Sequence, residues 1–242
     1  MSSTPQTQIQ NHNKNTHAPV TVSGNILFFI LIAIFLIGAV TAAIRSGSQE
    51  GANIDKENVM INASAVQQYA SNLERAVGII LQNGESESDL SFAHPDAASV
   101  YGTYGNSPST EIFHPDGGGV DYQAPPEGIS NGDAWEFYGN THLPEVGTAS
   151  RPELIAVLPN VTEGFCEYIN NSIGYSAQPI DSSTCLKSGD GLRFSSSQQF
   201  TSGGSVNTVE SATFSVKPST SGCVECGSGT GNYHFFHVLM AR

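Results

Sequence analysis

The chain has 242 residues, 38% hydrophobic and only 13% charged, and its 22 acidic against nine basic side chains leave a formal net charge of −13. All of the acids and eight of the nine bases follow an uncharged run at residues 25–44. That balance argues against nucleic acid, whose phosphates need basic patches, and against a role on an anionic lipid surface; it suits a soluble extracellular surface, with bound divalent cations as the competing account.

Residues 1–24 are polar, unpatterned and free of aromatic side chains, and read as a disordered leader or cytoplasmic tail. Residues 25–44 follow with Ile, Leu, Phe, Ala and Val and no charge. Twenty such residues at ~1.5 Å rise match the ~30 Å hydrocarbon core of a bilayer, so the run predicts a transmembrane helix. A cleaved signal is the rival reading, since Val40-Thr41-Ala42 and Thr41-Ala42-Ala43 offer small-residue cut sites. The run is longer than the usual apolar core of about 7–15 residues, and its leader holds only Lys14, which favours a retained helix.

Residues 45–84 read as a linker and a stalk. "SGSQEGAN" (46–53) is a soft joint with two glycines. Val59, Ala63, Val66, Ala70, Leu73, Val77 and Ile80 then recur every three or four residues and draw one apolar stripe along a helix. Asp55 is its expected N-cap and Asn83-Gly84 its expected stop.

Residues 85–242 read as an extracytoplasmic, β-rich globular domain with irregular Gly- and Pro-rich loops. "FAHPD" (92–96) and "FHPD" (113–116) predict two similar turns rather than a metal pair on His94 and His114. "DAWEFYG" predicts a buried aromatic strand, and "ELIAVLP" (153–159) a short, fully apolar one. A helix follows, with Thr162 as cap, Phe165, Ile169 and Ile173 as buried face and Gly174 as stop. Residues 191–217 alternate like strands, and "NYHFFHVLMAR" reads as a terminal strand inside a sheet.

The four cysteines, Cys166, Cys185, Cys223 and Cys226, all lie in this last part, and an even count fits an oxidising compartment. Cys223-Val-Glu-Cys226 lacks the following helix that lowers a redox thiol's pKa, and a zinc site wants a second close pair. Structural disulfides are preferred. Of three pairings, Cys166–Cys185 with Cys223–Cys226 is the favoured one, and the others tie the C-terminal loop to the helix. No catalytic constellation is legible, so the chain reads as not an enzyme. The carboxylates crowded over 111–136 allow one cofactor reading, a calcium site on Asp116, Asp121 and Asp133.

The order apolar helix, amphipathic helix, β-rich domain with a cystine-bearing C-terminal region resembles a type IV pilin or pseudopilin. The resemblance covers mainly residues 24–84. It implies an α+β fold in which a transmembrane N-terminal helix leads into an amphipathic helix packed on an antiparallel β-sheet. It also implies a prepilin peptidase cut between Gly24 and Asn25, a single-pass bacterial inner-membrane location with a periplasmic or extracellular domain, and other pilin-like subunits as partners through the N-terminal helix. The glutamate that the family carries five residues into the mature chain is replaced by Phe29, which points to a minor, initiating or plain membrane-bound role. The function that follows is structural, in a pilus or a type II secretion-like assembly. The rival functions are an anchored periplasmic ligand- or ion-binding module and a membrane-tethered thiol oxidoreductase.

Overall fold

The structure, a computed structural model, describes residues 25–46, 50–182, 185–186, 192–200 and 207–242. The leader with Gly24, and the "SGGS" glycines at 202–205, lie outside them. The chain divides into two compact units, Met1–Ala52 and Asn53–Arg242.

In the first unit, helix α1 spans Asn25–Ser46. Its residues 28–39 are all exposed. Among the described residues no helix is long and apolar enough to cross a membrane. The transmembrane helix expected over 25–44 is therefore corrected, and with it the single-pass placement in an inner membrane.

The second unit is built on helix α2, Glu50–Gln82. It begins before Asp55, which lies inside the helix and does not cap it. Ala63, Val66, Ala70, Leu73, Val77 and Ile80 are buried, and Tyr69 and Ala76 join them. The helix stops where Gly84 takes a φ of +95°. There the Glu85 N–H donates to the Ile80 carbonyl and the Gly84 N–H to that of Leu81, a Schellman ending.

The stripe packs into one core with a six-stranded sheet. The strands are β1 (Glu136–His142), β2 (Glu153–Val161), β3 (Ile180–Asp181), β4 (Asn207–Thr208), β5 (Ser221–Cys226) and β6 (Tyr233–Met240), and helix α3 (Glu163–Ile173) follows β2. Their order is β3-β5-β6-β2-β1-β4. The sheet is mixed, not antiparallel as expected. The four central strands alternate in direction, but both edges are closed by two-residue strands in parallel pairing. Long loops deliver those edge strands, so no hairpin dictates their direction.

Both sheet faces are buried. Phe137, Leu154, Ala156, Leu158 and Phe235 share the core with α2, Phe165 and Ile169. Tyr138, Ile155, Val157, Val224 and Phe236 face a second core, covered by Leu143, Val146, Tyr175, Leu186, Val209 and Phe214. This is why "ELIAVLP" lacks alternation: a strand covered twice has no polar face. Residues 191–217, expected as strands, contribute only β4 and the Ser195–Gln198 bridge among the described residues. Val209 and Phe214 serve there as loop cover.

Of the glycines of "DGGGVD", Gly118 lies against α2. A Cβ on Gly118 would stand 2.8 Å from the Ala76 Cβ and 2.9 Å from the Ile112 Cα. Gly118→Ala is expected to cost about 1–3 kcal/mol in urea unfolding. Gly78→Ala meets nothing within 4 Å in the helix interior and is expected to stabilise by about 0.5–1 kcal/mol.

Candidate functional site

Two kinds of surface invite function, the apolar side chains of α1 and the polar ends of the sheet. On α1, Phe28, Phe29, Leu31, Ile34 and Leu36 are all more than half exposed, and Phe35 is 76% exposed. A helix that is hydrophobic all round is ordinarily buried. A Cβ on Gly38 would meet nothing within 4 Å, so this point of the helix leaves room for close approach.

The four cysteines are all closed, as Cys166–Cys223 and Cys185–Cys226. The favoured pairing, Cys166–Cys185 with Cys223–Cys226, is corrected. "SGCVEC" is not a glycine loop but strand β5. Residues three apart on a strand lie ~10 Å apart and point to opposite faces, beyond the ~4.4–6.8 Å Cα reach of a disulfide. Cys223 therefore turns to α3 and Cys166 in the first core, and Cys226 turns to Cys185 on the second. The C-x-x-C is no dithiol pair here.

The carboxylates proposed for calcium do not assemble. Among the described residues no group of three or more His, Cys, Asp or Glu side chains is placed to hold a metal. Asp133 accepts a 2.7 Å hydrogen bond from the Asn160 side chain. Asp116 closes a turn in which its N–H donates to His114 Nδ1 at 3.1 Å. Asp96 and His94 repeat that turn at the same distance, and the rings of His94 and His114 flank Tyr104 at 5.6 and 5.3 Å. Burial above all, with the Asp121 charge a small addition, pushes the Tyr69 phenol of α2 up. Both HPD segments are thus turns built alike.

No family model matches this chain, and neither does any curated protein or solved structure. Similarity therefore identifies no pilin-like family, and the functional reading rests on geometry.

The best-organised polar site opens between the ends of β1, β2 and β6, a cavity of about 320 Å³ lined by Asp133, Glu136, Asn160, Arg193, Asn232 and His234. Glu136 is buried. Its carboxylate accepts from the Tyr138 hydroxyl at 2.7 Å and from Arg193 through Nε at 3.0 Å and through Nη2. The ion pair raises the Arg193 pKa against the opposing effect of burial. A carboxylate so engaged is a poor base or nucleophile. His234 Nδ1 accepts the Asn160 N–H at 3.3 Å, in keeping with the left-handed φ of +50° at Asn160. Sequence reading missed Arg193 and His234. The available signal was Glu136, an acid within an aromatic strand that needs a partner.

Burial holds His234 below the ordinary histidine value, against the raising effect of Glu136 and Asp133. A depressed imidazole binds fewer protons folded than unfolded. Its contribution is complete above the unfolded value of ~6.5 and is lost as pH falls below it. Unfolding midpoints measured from pH 7.5 to 5 are expected to fall more steeply in the wild type than in His234→Gln, which has no imidazole to charge.

Proposed function

We propose that this chain is a non-catalytic structural subunit, pilin- or pseudopilin-like in build, whose work is assembly with other copies through α1. The exposed apolar surface over residues 28–39 carries the reading. Leaving a fully buriable Leu, Ile or Phe side chain in water forgoes roughly 1.5–3 kcal/mol each, so a surface of eight or more such groups acts as an interface.

Every copy carries the same surface, and a like helix is a chemically matched cover for it. Ala39 and Gly38 are small enough for backbones to come close. Phe29 occupies the position where the family's glutamate pairs with a neighbour's amino terminus, so α1 contacts rest on packing without that charge pairing. Two cystines persist in oxidising surroundings, and they brace the second unit against local opening. Its acidic surface, with 22 acids in the chain, opposes unspecific association between the bodies of neighbouring copies.

The reading is tested by sedimentation of the full chain. It predicts a mass above the 25.5 kDa of one copy across the accessible concentration range. A single species at one copy's mass removes it.

A further inference from the structure

We propose that Thr141, Glu153 and Asn207 form a binding site for a hard, oxygen-seeking cation inside the second unit. The three residues stand in one row across three strands. Thr141 on β1 is the register partner of Glu153 on β2 and also of Asn207 on β4. Neighbours in such a row have Cβ atoms about 4.5–5.5 Å apart. All three are fully buried at 0% exposure.

Their polar atoms do not satisfy one another. Among the described residues, Glu153 Oε1, Thr141 Oγ1 and both side-chain atoms of Asn207 have no hydrogen-bond partner. Buried polar groups are almost always paired, and a concentration of orphans in one row indicates a missing water or ion. Glu153 Oε2 is bound, by the Leu143 N–H at 3.0 Å. Glu153 Oε1 is thus half of a buried carboxylate with no donor among the described residues.

The charge decides between water and a cation. A lone buried carboxylate is costly unless it is paired or coordinates a metal. The Arg242 charge reaches Glu153, but its guanidinium is committed to Glu87 at 3.2 and 2.5 Å and lies over Phe200 at 3.8 Å. The row offers three oxygens, one of them a hydroxyl, and one amide nitrogen. A water can donate only two hydrogen bonds, whereas a cation engages carboxylate, hydroxyl and amide oxygens together. Na⁺ and Ca²⁺ both take irregular oxygen sets of this kind, in contrast to zinc or copper, which seek nitrogen and sulfur. The site is separate from Asp116, Asp121 and Asp133, and it is independent of assembly through α1.

The test is thermal unfolding of the full chain after exhaustive dialysis into a choline chloride buffer with chelator. NaCl or CaCl₂ is then titrated in at constant ionic strength and with chelator removed. At an ion concentration about 100 times the dissociation constant the wild-type midpoint is expected to rise by roughly 5–10 °C. A rise with NaCl assigns the site to Na⁺, and a rise at far lower CaCl₂ assigns it to Ca²⁺. Glu153→Gln keeps the shape and removes the charge, so its midpoint is expected not to respond. If that variant does not fold, Thr141→Val and elemental analysis of the dialysed, reloaded wild type read the same point, with about one ion per chain expected. Insensitivity of the wild type to both salts, or an equal rise in Glu153→Gln or Thr141→Val, overturns the proposal and leaves the row to water.

Discussion

Proteolysis of the unreduced protein will yield two cross-linked peptide pairs, Cys166 with Cys223 and Cys185 with Cys226, and opening the first bridge will cost the second unit about 4 kcal/mol. The partners are 57 and 41 residues apart. Closing loops of that length removes unfolded-chain entropy worth roughly 4 kcal/mol each in the loop-closure model. Domains of this size are stable by only about 5–15 kcal/mol, so the Cys166→Ala/Cys223→Ala pair of substitutions should lower the melting midpoint by about 10 °C. The loss falls on a defined contact. Cys166 is buried on α3 beside Phe165 and Ile169, and Asn170 of the same helix clasps Cys223, accepting its N–H at 2.9 Å and donating to its carbonyl at 3.2 Å. Bridge and side chain together fix α3 to β5. Recovery of a Cys223–Cys226 peptide as the main product would contradict the strand geometry.

Placing Leu31→Asp and Phe35→Asp together on α1 will abolish self-association and leave the second unit folded. Leu31 is 63% and Phe35 76% exposed on the single chain, so the substitutions disturb no core within it. In an assembly the same positions meet apolar side chains, and each new carboxylate there lacks a partner. Burying an unpaired charge costs several kcal/mol. Even a part of that sum weakens association by roughly 100-fold or more. Sedimentation then reads one copy for the variant, while its unfolding midpoint stays that of the wild type. An unchanged assembly would place the interface elsewhere.

The legible parts of this fold are those with a period or a run long enough to reveal a covering. The α2 stripe from Ala63 to Ile80 was open to reading because one buried face leaves a repeat of three and four. The apolar "ELIAVLP" was legible as a strand, but which elements cover its two faces was not. The central position of "YHFFHVLM" followed from its lack of a polar face. Three features were hidden. "SGCVEC" has glycine on both sides, and its alternation spans too few residues to separate a strand from a turn, which misdirected the cystine pairing. The edge strands β3 and β4 are two residues long and carry no pattern. The length of an apolar segment says how far it can reach, not what it lies against, and the transmembrane reading of residues 25–44 went beyond that. Of the candidate sites, Asp116, Asp121 and Asp133 were close in sequence and are not grouped in space, whereas Thr141, Glu153 and Asn207 are dispersed in sequence and meet only through strand register. No spacing rule could have joined them.

Replacing Phe35 by a benzophenone-bearing amino acid and irradiating cells that express the full chain tests the central claim most directly. The substitute keeps an aromatic side chain on the α1 surface, and its radical attacks only what lies in contact. The account predicts cross-linked species at multiples of one copy's mass, with the adducts mapping to residues 28–39 of another copy. Adducts confined to other proteins, or none at all, would contradict assembly through α1.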